Sequence, residues 1–321
     1  MISRRALFAS SLALPGGAAM AAPRFSSPPD LRFFIPAAPG GGWDGTGRAM
    51  EKVLRETRAA ASLQFENVPG AGGTVGLPRF VSMRGRRNLL MVSGLTMISS
   101  TITNKSPIAV SQLTPIARLI GEVHVLVVPA ESPIRDLAGF IAAFRADPKG
   151  TAVAGGSAGG TDHMLLGILG NALGIPPGQL SYVAFSGGGP AVTAIIGGQV
   201  KAGISNWSEF EPHVASGRMR ALALSGMERL PNVDVPTMRE GGLDAVLYNW
   251  RGVWAPPGIP ESHRDELATL VEEMARSEEW KRECGNRGWQ QLYMPPGEFG
   301  AFLRTETASV EGVLKQLGLA G

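Results

Sequence analysis

Cysteine is almost absent. Cys284 stands alone among 321 residues, so no intramolecular disulfide braces this chain. No His or Asp sits beside it at a catalytic or metal-ligand spacing, and it reads as a small residue in or near a helix. Histidine is scarce as well. His124, His163, His213 and His263 form no pair with one another or with the cysteine at ligand spacing, which argues against a metal site. Long runs of one charge are missing. The densest basic stretch is Arg84-Gly85-Arg86-Arg87, and the other Lys and Arg are scattered, so nucleic acid is excluded as an expected partner. No apolar run reaches the roughly 20 residues that a membrane-spanning helix needs. Nucleotide loops are missing too. No glycine turn carries the lysine of a phosphate-binding loop, and no G-x-G-x-x-G follows a strand with an acid about twenty residues later. No cofactor is implied.

The N-terminus has a definite order of its own. Arg4 and Arg5 precede an apolar stretch from Ala6 to Leu14, then Pro15-Gly16-Gly17 and the small-residue run Ala18 to Ala22. That is the arrangement of a secretory signal peptide over residues 1–22, cleaved after Ala21 or Ala22, and the paired arginines permit either Sec or twin-arginine export. A periplasmic, soluble mature protein is expected. Net charge is +3, and loss of Arg4 and Arg5 with no acid leaves a mature chain near neutrality.

Glycine is plentiful, 43 residues, and it falls where apolar runs hand over to helical patterns. Leu31 to Pro36 reads as a strand, 37–42 as a turn and 45–58 as a helix. Strand 63–68, turn 69–73 and helix 75–83 follow, then a strand at 89–93. The second half repeats the rhythm. Strand 123–128 precedes helix 137–146, strand 151–154 precedes helix 161–173, and strand 182–185 precedes helix 190–196. Two short strands at 202–205 and 221–225 come before helices at 261–276 and 298–317. Alternation of this kind predicts an α/β fold of two strand-turn-helix assemblies, with the closing helices free to return to the first.

Ligands of open parallel sheets bind beyond the carboxyl ends of the strands, where helix N-termini present unpaired N–H groups and a positive dipole end. Glycine there admits a ligand close to the backbone. Four turns qualify: Pro39 to Gly42, Pro69 to Gly73, Gly155 to Gly160, and Ser186 to Gly189. Together they predict an anion-binding cleft, while each alone is equally a tight turn. Gly155-Gly156-Ser157-Ala158-Gly159 also matches G-x-S-x-G between a strand and a helix. A serine hydrolase is therefore the alternative reading, with Ser157 as nucleophile, His213 or His263 as base, and Asp234 or Asp244 as orienter. Otherwise the Ser157 hydroxyl donates to a bound carboxylate. His163, in the first turn of the next helix, either reaches the ligand or caps locally. Asp44 caps the first helix in the simplest case, and Trp43 lines the cleft or packs in the core.

Several segments in order carry a family resemblance: Pro39-Gly40-Gly41-Gly42-Trp43-Asp44, Glu66 to Gly73, Gly155 to His163, Gly197-Gly198-Gln199-Val200, Gly217 to Ala223, and Trp254 to Pro260. From about Leu31 to the C-terminus the chain resembles the substrate-binding receptors of tripartite tricarboxylate transporters, the Bug or TctC-like family. The resemblance implies a two-lobed, type II periplasmic-binding fold, each lobe a mostly parallel sheet flanked by helices, with the ligand cleft between lobes. The order of elements divides the chain into a first lobe at 26–126 plus 250–321 and a second at 127–249. The resemblance implies a receptor, not an enzyme, expected as a monomer that delivers a carboxylate to polytopic membrane subunits. Carried over to this sequence, the ligand-binding positions are Gly41, Gly42, Trp43, Asp44, Ala71, Gly72 and Gly73 from the first lobe. The second lobe offers Ser157, Thr161, His163, Ser186, Gly187, Ser205 and Asn206. A neutral Ser205, where many relatives carry Asp, puts amino-acid ligands in doubt and leans toward di- or tricarboxylates, as does Gly-Trp-Asp in the first loop. Arg251 and Arg48 are the available countercharges.

Overall fold

The computed structural model describes residues 24–185 and 188–320. The signal-peptide reading, Ser186 and Gly187 lie outside the described residues. The first half runs Asp30–Ile35 (β1), Gly42–Glu56 (α1), Ser62–Asn67 (β2), Gly76–Ser82 (α2), Leu89–Gly94 (β3), Leu95–Thr103 (α3), Thr114–Pro129 (β4) and Leu137–Ala146 (α4). Then come Val153–Gly155 (β5), Thr161–Ala172 (α5), Tyr182–Ala184 (β6), Gly188–Ile196 (α6), Ala202–Asn206 (β7), Trp207–Ala215 (α7) and Met219–Leu224 (β8). The chain closes with Tyr248–Ala255 (β9), Glu261–Arg276 (α8), Glu278–Asn286 (α9), Gln290–Met294 (β10) and Pro296–Gln316 (α10).

The fold is two-lobed α/β. Strands follow the order β2-β1-β3-β9-β4-β7-β5-β6, with β8 and β10 also paired to β4. Parallel pairs occupy the two ends: β1 with β2 and β3, and β5 with β6 and β7. The centre is antiparallel. Thr114 to Val123 of β4 pairs with β9, and its continuation from His124 pairs with β7 and β8. One sixteen-residue strand thus runs through both lobes.

Parallel strands covered on both faces read as continuous apolar runs, and β3 is buried along its whole length. In-register pairing of Ile35 with Asn67 makes the loops after β1 and β2 leave the same edge side by side. Gly94, the end of β3, pairs with Arg251 of β9, and Glu122 of β4 pairs with Asn249. Polar residues are therefore gathered at the middle of the sheet. Opposite faces of β9 have opposite duties, as a period of two requires. Trp250 and Trp254 turn toward α10, 5.7 and 5.2 Å from the Phe299 ring. Rings of this kind bury about 150–250 Å2 each, so this cluster fastens α10 over the sheet.

Helix starts differ by position. Asp136 caps α4 through Gly139 N–H at 2.8 Å, and Ser277 caps α9 through Trp280 N–H at 3.1 Å. Each such cap is worth about 1 kcal/mol. By contrast α1 follows Gly41 and α5 follows Gly160, with no side-chain cap at either. Burial pushes the Cys284 thiol, inside α9, up to about 12, so it is inert at neutral pH. No helix among the described residues is long and apolar enough to cross a membrane.

Candidate functional site

A cavity of about 340 Å3 opens between the lobes. On the first-lobe side it is lined by 36–38, Gly42 and Trp43 of the loop after β1, by 69–73 after β2, and by Thr96 of α3. Asn206 and Glu209, at the β7–α7 junction, line it from the second lobe, and Asn249 and Arg251 of β9 form its floor.

The two first-lobe loops are held from behind. Asn67 donates to Ala37 O at 3.1 Å and to Asp44 Oδ1 at 3.0 Å, while Gly40 N–H donates to Asp44 Oδ2 at 3.0 Å. Asp44 is thus buried scaffolding. The second loop needs its glycines. Gly72 and Gly73 have φ of 61° and 91°, and Ala71 between Gly70 and Gly72 is also left-handed at 46°. A Cβ at Gly72 would collide with Ser100 of α3, and one at Gly73 would stand 2.9 Å from Trp43 Cζ3. Among the described residues, the N–H groups of Gly42, Trp43, Ala71 and Gly72 have no protein partner. Consecutive free N–H groups on left-handed backbone, beside an uncapped helix N-terminus, form an anion-binding concavity.

Behind Gly42 lies a buried ion pair. Arg251 and Glu122 are 4% and 3% exposed, and their side chains are in direct hydrogen-bonded contact. Arg251 also donates to Thr46 Oγ1 at 3.2 Å, and Ser208 Oγ donates to Glu122 Oε1 at 2.6 Å. A Cβ at Gly42 would meet Arg251 Nη2 at 2.6 Å, so glycine makes room for the guanidinium.

On the second-lobe wall, Glu209 accepts from Ser205 Oγ at 2.9 Å and from Asn206 Nδ2 at 3.4 Å. Asn249 Nδ2 donates to Asn206 Oδ1 at 3.2 Å. Desolvation between the lobes raises the Glu209 carboxyl above its ordinary range, the charges of Asp162 and Glu122 push the same way, and the Ser205 and Asn206 hydrogen bonds oppose them.

The glycine turn after β5 is built differently. Gly156 N–H donates to Asp162 Oδ2 at 2.7 Å, Gly159 N–H to His163 Nδ1 at 3.2 Å, and Gly160 N–H to Ser157 O at 2.9 Å. His163 stacks on Tyr182 with centroids 4.1 Å apart, and burial lowers its basicity. Thr161 Oγ1 lies 2.9 Å from the buried His124 Nε2. Ser157 is exposed. The proposed hydrolase bases lie elsewhere: His213 Nδ1 is 2.7 Å from Arg218 Nη2, and His263 pairs with Glu266 at 2.9 Å. Among the described residues neither is hydrogen-bonded to Ser157.

Of the sequence-predicted positions, Gly42, Trp43, Ala71, Gly72, Gly73 and Asn206 come together around the cavity. Gly41 precedes α1 without lining it, Asp44 is turned behind the loop, and Ser205 reaches it only through Glu209. Ser157, Thr161 and His163 line a separate turn. Arg48 lies over the Phe65 ring at 3.6 Å and pairs with Glu51, away from the cavity. The sequence reading missed Thr96, Glu209 and Asn249. Asn249 and Arg251 are polar residues two apart in an otherwise apolar Trp-rich segment, and that period-two pattern is the signal that marks them.

The chain matches the family model described as "Tripartite tricarboxylate transporter family receptor" over residues 48–319. It is 26% identical to the protein BugT of Bordetella pertussis over 295 residues, 90% of this chain and 89% of that one. MatC of Rhodopseudomonas palustris, solved with bound malate, is 25% identical with a TM-score of 0.73, covering 89% of this chain and 99% of MatC. Rpa4515 of R. palustris, solved with adipate, has a TM-score of 0.78 at 21% identity, over 91% and 98% of the two chains.

Proposed function

The chain belongs to the tripartite tricarboxylate transporter receptor family, and from that premise we propose that it is a periplasmic receptor capturing one small organic carboxylate between its lobes. It hands the loaded form to polytopic membrane subunits and changes no covalent bond. The observation that carries this reading is the pair of loops at 37–43 and 69–73, whose unpaired N–H groups border one cavity with Arg251. A carboxylate taken out of water must have its oxygens hydrogen-bonded, and charge-assisted bonds to backbone N–H groups do this without a neutralising side chain. MatC, solved with bound malate, and Rpa4515, solved with adipate, are chemical precedents.

We assign the first lobe to 26–126 plus 250–321 and the second to 127–249. The change of pairing along β4 between Val123 and His124 supports that division. Two connections at β4 and β9 let the lobes hinge, so that ligand bound by the first-lobe loops draws Asn206 and Glu209 onto it. From the second lobe we assign these two residues to the ligand, and not Ser157.

The test is a thermal-shift screen of the mature chain against about a hundred carboxylates. At a hundredfold excess over Kd a ligand of the native state adds about 2.7 kcal/mol. A shift with an acid that mass spectrometry recovers unmodified is the expected result. A screen without any shift, or one in which the compound is consumed, overturns the receptor reading.

A further inference from the structure

The cavity has one wall made for donors and another made for acceptors. N–H groups on the loop side seek an anion. The opposite wall is Glu209, whose carboxylate is held by Ser205 and Asn206 and opens onto the cavity. Arg251 is the single cation among the described lining residues, and Glu122 already occupies it. One Asn249 amide N–H is taken by Asn206 Oδ1 and one Asn206 N–H by Glu209, so each amide spends a donor inside the wall. A second ligand carboxylate placed there would meet a like charge and no uncommitted cation.

We propose that Glu209 selects the ligand class: an organic acid gripped by its carboxylate at the glycine loops and carrying an ammonium group at the Glu209 end, in preference to a di- or tricarboxylate. The inference rests on the receptor reading above and deepens it. It also revises what Ser205 signifies. The neutral hydroxyl does not leave the wall uncharged, because it holds a carboxylate four residues further along, in the first turn of α7. Burial, with the charges of Asp162 and Glu122 adding to it, raises the Glu209 carboxyl, and a bound ammonium would offset both by favouring its ionised form.

The experiment is isothermal titration at about pH 7.5 of unbranched acids of three to six carbons. Each length is offered as the dicarboxylate, the terminal hydroxy acid, the terminal amino acid and the α-amino acid. On the native chain an amino acid should bind at least about tenfold tighter than the dicarboxylate of equal length. In Glu209→Gln, which keeps an acceptor for Ser205, that preference should collapse, with the amino acid weakened and the dicarboxylate strengthened. Glu209→Ala should behave alike, and unliganded thermal melts establish that both variants fold. A native chain that prefers dicarboxylates, or a preference untouched in both folded variants, overturns the Glu209 inference and leaves the receptor intact. Binding of none of these acids to the native chain overturns the receptor reading itself.

Discussion

Two glycine-rich loops of this protein, 69–73 and 155–160, look interchangeable as strings of residues, yet only the first borders the cavity with unpaired N–H groups. In 155–160 the glycine N–H groups are answered inside the lobe, by Asp162, His163 and Ser157 O. In 69–73, Ala71 and Gly72 are held left-handed by α3 and their N–H groups remain unpaired. A glycine loop grips an anion only when its own neighbours leave it unsatisfied. Asp162 and His163, just after the turn, engage Gly156 and Gly159 of the later loop, and among the described residues only its Ser157 and Ala158 N–H groups, outside the cavity lining, have no protein partner. The residues following β2 contain no such acceptor, since Thr74 and Asn104 contact only Ala71 O and each other.

The strongest way to break this comparison is through the charge beneath the first-lobe loops. Arg251→Met strands Glu122 as a buried, unpaired anion, and the expected loss is about 3–5 kcal/mol in urea unfolding. Carboxylate binding should go with it, because the space that Gly42 leaves for the guanidinium is vacated. The double variant Arg251→Met, Glu122→Leu should recover most of the stability and none of the binding. If the single variant unfolds like the native chain, the pair is not the foundation of the loop.

Gly72→Ala comes next. Left-handed backbone costs an alanine about 1–2 kcal/mol, and the collision with Ser100 adds about 1–3 kcal/mol. Carboxylate affinity should fall at least about tenfold. Gly159→Ala is the matched control. Its φ is 75°, and its Cβ would meet the Thr103 methyl at 2.8 Å, a side-chain end that can turn aside. Stability should drop by about 1–2 kcal/mol with affinity unchanged. Equal effects of the two substitutions on binding, measured by titration, would erase the distinction between the loops.

The same contrast explains what could be read in advance. Helix 261–276 and the strand-turn-helix units of both lobes follow from apolar periodicity and glycine punctuation, and the structure has them within a few residues. α7 was hidden by Pro212 in its interior, where a proline normally argues against a helix. β9 was hidden because Asn249, Arg251 and Gly252 interrupt its apolar run, and they do so because one face of it is the floor of the site. The antiparallel centre also escaped notice. Pro115, Arg118 and Glu122 disguise the first ten residues of a strand that carries the chain from one lobe to the other. Glu209 was illegible for a simpler reason: a lone acid in a polar helix turn acquires meaning only from what the other lobe brings opposite it.

A smaller effect sharpens the comparison through pH. Burial lowers the His163 basicity, so the folded state takes up a proton less readily than the free side chain, whose pKa is about 6.5. Its contribution to stability is present above that value and is lost as pH falls through the folded one. Glu209 and Glu306, both raised by burial, act in the opposite sense, favouring the fold at low pH and losing that contribution as pH rises. His163→Gln, able to accept from Gly159 N–H, should narrow the Tm difference between about pH 7.5 and pH 5. An unchanged difference would mean that the imidazole is already free to protonate in the fold.

Smallest of all should be Ser157→Ala. The side chain is exposed and, among the described residues, its hydroxyl makes no hydrogen bond, so stability should stay within about 0.5 kcal/mol. Carboxylate affinity should likewise move less than about twofold, since the turn's glycine N–H groups are already engaged and the cavity lies beside other residues. The same variant examines the hydrolase alternative. Its bases, His213 and His263, make no hydrogen bond to Ser157 among the described residues, and His263 Nε2 already accepts from Asn88 N–H. Native chain incubated with simple esters should leave them intact. Ester turnover abolished by Ser157→Ala would show that closure brings a base to the serine, and the turn at 155–160 would then be the reactive loop of this molecule.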